Sequence, residues 1–283
     1  MIIVALVIVG LCLGSFVNAL VWRIHEQEEQ AKSKKKSDKR YQARLSIAKG
    51  RSMCPDCKHE LTAKDLVPVL SWLSLGGKCR YCKKPIPVQY PLVELVTACL
   101  FVASYIWWPE SLEGAQMVVF GLWLAILTGL MALLVYDARW MLLPNRLVYP
   151  LTAVAGLQAV IAISLSDSPL TALINTLMAV VVGGGIFYVL FQVSAGKWIG
   201  GGDVRLGWLL GLIVATPAKS VLLIFLASIL GTLVSLPLLL SKRMKRTSTI
   251  PFGPFLIAAS IIVVLFGTDI LSWYQSVFLP FTI

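Results

Sequence analysis

The sequence predicts an all-α polytopic membrane protein of about eight transmembrane helices, with a small zinc-binding cytoplasmic insertion after the first helix. Three observations predict it. Of 283 residues, 58% are hydrophobic, and the mean hydropathy of +0.81 lies far above that of ordinary soluble domains. The apolar residues come in runs close to the ~20 that a helix needs to cross a bilayer. Inside the one long polar segment, four cysteines stand as two C-x2-C pairs.

The first run, 1-22, has no charged side chain before Arg23 and many basic ones after it. A cleaved signal peptide would begin with a basic region, so this run reads as an uncleaved anchor. Further runs fall at 91-109, 116-136, 147-166, 170-193, 205-217, 219-240 and 251-268. The 205-217 run is too short for a full crossing and suits a half-helix or a tilted span. With eight spans, segments 23-90, 137-146, 194-205 and 241-250 share one side and hold every Lys and Arg except Lys219. Because Lys and Arg favour the cytoplasmic side, the amino terminus is expected outside. The net charge of +11 then reports topology and contact with anionic membrane lipid, and it does not argue for nucleic acid.

The chain thus divides into a first helix (1-22), a cytoplasmic segment (23-90) and a membrane-embedded core (91-283). Within 23-90, the charged tract 25-49 has too little apolar surface to offset the entropy of folding and reads as a solvated linker, although residues 26-49 could extend the first helix. The piece 50-90 is too small for a large core and needs a metal, a disulfide or a partner surface.

Cys54, Cys57, Cys79 and Cys82 indicate which. Each C-x2-C pair bends two thiolates toward one ion, and two pairs complete the tetrahedral sulfur site that zinc prefers. Two disulfides are the alternative, disfavoured on a side where thiols stay reduced. A closed four-thiolate site leaves no position for substrate, so the zinc is structural. Cys12 and Cys99 read as helix-packing residues.

Asp137, in LLVYDARWMLLPNRL, and Asp203, in KWIGGGDVRL, both map to cytoplasmic helix ends. A carboxylate near hydrocarbon is costly and is usually retained for pairing or chemistry. Two carboxyl groups close together cannot both ionise easily, so one can take a proton from water while the other polarises a carbonyl, which is peptide hydrolysis chemistry. Gly200, Gly201 and Gly202 would let a substrate backbone approach Asp203. The same spacing equally suits salt bridges of Asp137 with Arg139 or Arg146 and of Asp203 with Arg205. Paired membrane carboxylates also serve ion- or proton-coupled transporters, and the tetrad could organise a scaffold for a partner.

The surrounding sequence resembles the type IV prepilin peptidases, membrane aspartic proteases of the GxGD group, over nearly its whole length. GSFVNALVWR (14-23), RSMCPDC (51-57), CRYC (79-82), PVQYPLVEL (87-95), DARWMLLPN (137-145), Gly200 to Asp203 and IPFGPFL (250-256) follow the family's order. The resemblance implies a catalytic pair of Asp137 and Asp203 in a bacterial inner membrane protein. It also implies cleavage of the basic leader from type IV prepilins or pseudopilins at the cytoplasmic face. Family members with the cysteine tetrad often methylate the new amino terminus with S-adenosylmethionine, yet no G-x-G-x-x-G motif marks a binding site for it in the polar segment. Asn145 stands where many relatives carry a second acid, and the lysine-rich insertion at 32-40 is unusual. A basic leader is expected to dock on acidic residues such as Glu26, Glu28, Glu29, Asp56, Glu60 or Glu94.

Overall fold

In the computed structural model, which describes residues 1-32, 39-47, 49-241 and 250-278, the regular elements are helical. In chain order they are α1 (Ile2–Lys32), α2 (Lys39–Arg44), a 3-10 turn (Ala63–Asp65), α3 (Leu70–Ser74), α4 (Gln89–Ile106) and α5 (Gln116–Trp140). They continue with α6 (Asn145–Leu165), α7 (Pro169–Ser194), α8 (Gly201–Val214), α9 (Pro217–Leu240) and α10 (Gly253–Phe278). Seven of them (α1, α4, α5, α6, α7, α9 and α10) are long and apolar enough to cross a membrane. The protein is a multi-pass membrane protein. The eighth run is α8, whose 14 residues rise only about 21 Å at 1.5 Å per residue, less than a typical hydrocarbon thickness. It also begins earlier than the apolar run suggests. Ala215 takes a left-handed conformation that stops α8, and Pro217 opens α9.

The chain forms two compact units, Met1–Ile106 and Trp107–Ile283. In the first, α4 lies along α1. A Cβ on Gly10 would come 2.6 Å from the Ala98 Cα, and one on Gly14 would come 2.6 Å from the Glu94 Cα. Two glycines one turn apart therefore let the backbones touch, the small-xxx-small solution for helices that gain no hydrophobic drive from each other in lipid. The unit boundary falls after α4 because this contact ties α4 to α1.

At 31 residues, α1 outruns the ~30 Å hydrocarbon core and carries its last turns beyond it. Arg23 there is buried and donates to the carbonyls of Ser46 (3.1 Å), Ile47 (3.2 Å) and Gly50 (3.0 Å). Gln27 donates to the Leu45 carbonyl at 2.7 Å, and the Leu45 side chain is fully buried. The expected solvated linker is therefore corrected over 39-47, where the chain docks on the helical extension. One guanidinium satisfies three carbonyls that composition alone leaves to water. Residues 33-38 of the lysine-rich insertion lie outside the described residues.

In the second unit α5 is innermost. Trp123, Ile126, Leu127, Leu130, Leu133 and Tyr136 on it are fully buried, whereas Val181 on α7 and Phe225 and Leu233 on α9 present the open apolar faces that lipid covers. The short α8 is held against α7 by glycine. A Cβ on Gly207 would meet the Gly183 carbonyl oxygen at 2.7 Å, and one on Gly211 would meet that of Ala179 at 2.6 Å. This close approach fixes where the first turn of α8, and Asp203 on it, can lie.

Candidate active site and metal centre

Asp137 occupies the last turn of α5, and its backbone carbonyl accepts from Met141, the left-handed residue that ends the helix (2.8 Å). Only 5% of the residue is exposed. The helix cannot run on because Pro144 follows, and the turn Met141–Pro144 carries the chain into α6. Asp203 sits in the first turn of α8, where its backbone N–H donates to the Gly200 carbonyl at 3.1 Å and its carboxylate faces the Gly200 N–H. An acid at this position complements the helix dipole and covers an otherwise unpartnered backbone donor.

These two carboxylates, 66 positions apart in sequence, come within electrostatic reach of each other. The groups acting electrostatically on Asp137 are the Asp203 carboxylate and the Gly253 backbone N–H at the start of α10. Two of the three arginines considered as salt-bridge partners, Arg205 and Arg139, have other contacts. Arg205 donates through Nε to the Gly201 carbonyl (3.0 Å) and through its guanidinium to Asn145 Oδ1, which joins the starts of α8 and α6. Arg139 lies over the Trp140 ring, 5.0 Å from its centroid. Asn145, where a second acid was expected from the resemblance, thus accepts from Arg205 and adds no charge.

The glycines divide their work. Gly202 is closely placed, because a Cβ there would lie 3.3 Å from the Leu143 side chain of the α5–α6 turn, which would have to give by a few tenths of an ångström. Gly200 and Gly201 have ordinary surroundings, with no neighbour of a built Cβ closer than 3.7 Å, so the approach to Asp203 is open on their side. Gly253 is the site residue that sequence reasoning passed over. A Cβ on it would lie 2.5 Å from Asp137 Oδ2. Its only signal in the sequence is a glycine between Phe252 and Pro254 at the head of an apolar run.

In the first unit, the cysteine ligand atoms of Cys54, Cys57, Cys79 and Cys82 all lie within 4.8 Å of one another. All are free thiols, and the Cys54 and Cys82 sulfurs stand 3.9 Å apart, which excludes the disulfide alternative for that pair. Two matching loops build the cluster. Lys58 N–H returns to the Cys54 carbonyl and Cys54 N–H to the His59 carbonyl; Lys83 and Lys84 repeat both bonds around Cys79, and Lys58 and Lys83 both take positive φ. Burial pushes the Cys54 thiol up to about 12, while at Cys79 burial is outweighed by backbone N–H groups of Cys82 and Tyr81 that bring it down to about 7. Such backbone donors favour thiolate, the form that binds a metal ion. The cluster can hold one ion, and its four sulfurs would close the coordination shell.

Most of the acids expected to receive a basic leader already have partners. Glu29 pairs with Lys32, Glu60 with Arg51, and Asp56 with Lys84, while Glu26 accepts from Tyr41. Glu94 is buried and accepts from the Val69 N–H at 2.7 Å.

Comparison with known proteins gives two family matches. The model described as Bacterial Peptidase A24 N-terminal domain matches residues 8–108, and that described as Type IV leader peptidase family matches residues 124–236. The chain is 34% identical over 231 residues to a prepilin leader peptidase/N-methyltransferase of Bacillus subtilis (strain 168), covering 81% of this chain and 87% of the relative. It is 33% identical over 280 residues to one of Aeromonas hydrophila (95% and 92%), and 31% identical over 277 residues to one of Pseudomonas aeruginosa (95% and 91%). No solved structure matches the chain.

Proposed function

Since the chain belongs to the type IV leader peptidase family, we propose that it is an aspartic endopeptidase of the bacterial inner membrane that removes the leader of type IV prepilins or pseudopilins. Asp137 and Asp203 are its catalytic pair. The observation that carries this reading is that the Asp203 carboxylate lies within electrostatic reach of the buried Asp137 while Arg205 is bound to Asn145 and Gly201. An ion pair would have tied each acid to a base and left neither for chemistry.

The pair shares one proton between two carboxyl groups. The ionised member takes a proton from water as its oxygen attacks the scissile carbonyl carbon, and the protonated member gives its proton to the carbonyl oxygen. When the tetrahedral intermediate collapses, the second acid takes a proton back from a hydroxyl of the gem-diol, the C–N bond breaks and the amine leaves with a proton from the first acid, restoring the pair with its one shared proton. Burial of Asp137 among apolar side chains excludes bulk water, and the Gly253 N–H and the α8 amino terminus supply fixed dipoles beside the two charges.

Placement of the basic residues supports an outside amino terminus and a catalytic site at the cytoplasmic face, where a prepilin's apolar helix lies in the bilayer and presents its leader junction. The cysteine cluster holds a structural zinc ion. The names of the relatives support a second activity, methylation of the newly exposed amino terminus with S-adenosylmethionine. In it the carbon–sulfur bond of the sulfonium breaks, the methyl forms a bond to the amine nitrogen, and the amine proton passes to solvent.

The test is leader cleavage by membranes carrying Asp137→Asn or Asp203→Asn. Each variant should lose cleavage while the thermal transition in detergent stays in place; cleavage retained by either removes the catalytic pair.

A further inference from the structure

The second unit has a cavity at the end of its helices opposite to Asp137 and Asp203. Asp137 lies in the last turn of α5 and Asp203 in the first turn of α8, whereas the cavity is walled by Val119 and Trp123 near the start of α5 and by Val214 and Ala215 at the end of α8. The space lies where α8 stops after 14 residues and Ala215 turns the chain into α9. Its empty volume, mouth included, is about 640 Å³, within the range of small-ligand sites, and its lining is mainly apolar.

Two donors in this lining have unmet capacity. Trp108 is wedged against Phe120 and Trp123, with ring centroids 5.1 Å and 6.1 Å away, and its buried indole N–H meets no acceptor among the described residues. Lys219, the one basic residue outside the segments assigned to the cytoplasmic side, stands in the first turn of α9, where the helix dipole opposes a cation. Its stem runs over Gly267 of α10, where a Cβ would touch Lys219 Cγ and Cε at 3.5 Å. No carboxylate among the described residues is within ion-pair distance of its ammonium; the exposed Glu110 and Asp269 act on it from further away. A buried donor without an acceptor and a half-buried ammonium without a counter-ion are each costly, and one phosphate diester would satisfy both. With Lys219 so neutralised, the two acids leave an excess of negative charge that attracts a cationic group on the same ligand.

We propose that this cavity binds the head of a membrane phospholipid of the phosphoethanolamine class. The phosphate accepts from Lys219 and the Trp108 indole, the ammonium faces Glu110 and Asp269, and the glycerol ester lies against the apolar walls. Such a lipid belongs to the leaflet opposite the catalytic end of the helices. The inference stands apart from the peptidase and methyltransferase readings and would survive the failure of either.

The experiment measures binding to the delipidated full chain in detergent by native mass spectrometry, with phosphatidylethanolamine, phosphatidylglycerol and inorganic phosphate as separate probes. Wild type should retain a single phosphatidylethanolamine at concentrations where phosphatidylglycerol, which lacks the ammonium, binds several-fold less. Lys219→Gln and the conservative Trp108→Phe should each weaken phosphatidylethanolamine by about tenfold, the loss of one charge-assisted or buried hydrogen bond. Glu110→Gln combined with Asp269→Asn should instead remove the preference between the two lipids. Wild type that binds both lipids equally, or lipid binding untouched by Lys219→Gln and Trp108→Phe, is the behaviour of lipid spread over the apolar faces and overturns the site. A lower thermal transition of Lys219→Gln in lipid-free detergent with unchanged lipid binding would make Lys219 a complement of the α8 carbonyl end, and also overturns it. Inorganic phosphate bound as tightly as the lipid would make the ligand a free anion and overturn the lipid assignment.

Discussion

Replacing Gly253 by alanine should cripple leader cleavage without removing either aspartate. The added carbon would sit 2.5 Å from Asp137 Oδ2, 3.2 Å from its Cγ and 3.6 Å from Leu206 Cδ2. A carbon and an oxygen out of bonding contact need well over 3 Å, so relief requires the carboxylate or the start of α10 to move by roughly 1 Å. Neither can move freely: Asp137 is buried in the last turn of α5, and Leu206 is fully buried on the other side. A displacement of about 1 Å at a reacting group costs about 100-fold in rate, while the overpacking itself costs about 1–3 kcal/mol and the gain in helix propensity returns at most about 1 kcal/mol. Single-turnover cleavage of a prepilin by the purified variant, beside its thermal transition, separates the two. The expected result is a fall in cleavage of about two orders of magnitude in a protein that still melts cooperatively. A rate within a fewfold of wild type would refute the placement of Gly253 against Asp137.

The same steric logic applies where α8 meets α7: Gly211→Val would drive a side chain into the Ala179 carbonyl, so both the transition temperature and cleavage should fall, and a normal melt would contradict the close approach. Chelating the metal should expose residues 51-86 to proteolysis, since structural zinc contributes on the order of 10 kcal/mol to such small domains, and unchanged resistance would refute the zinc site. The Asp65 carboxyl lies below its ordinary value: burial pushes upward, but Arg80 at 2.6 Å and the Thr62 side chain and N–H outweigh it. A depressed carboxyl contributes stability that is present above its unfolded value of about 4 and lost as pH falls through the lower folded value. The stability difference between wild type and Asp65→Asn should therefore persist at neutral pH and close in strong acid, as read by protease susceptibility of 51-86; a gap that widens in acid would contradict the sign.

How much of this was legible before the structure follows from what kind of energy each feature reports. Transfer of a residue into hydrocarbon depends mainly on that residue, so the long spans, the shortness of the run at 205-217 and the cost of Asp137 and Asp203 can be read position by position. The cysteine cluster is legible because a C-x2-C loop is local geometry, and its loops close within six residues, from Cys54 to His59 and from Cys79 to Lys84. The family resemblance also held, carried by motifs in one order and matched by relatives over most of the chain.

What the tertiary structure decided are contacts between distant helices. Nothing near Gly253 in sequence signals a carboxylate more than 100 positions earlier, and whether Gly10 and Gly14 face lipid or α4 depends on a partner that periodicity does not name. The choice between an ion pair and an acid pair at Asp137 and Asp203 was equally closed to the sequence, since Arg205 lies two positions from Asp203 yet reaches Asn145. By itself the sequence determined which residues are expensive in a membrane and which cysteines can share an ion, because those are properties of single residues and short loops. Which groups face the expensive ones was decided only by helix packing, because a side chain's partner is fixed by the rotation of two helices about each other and by the glycines that let them touch.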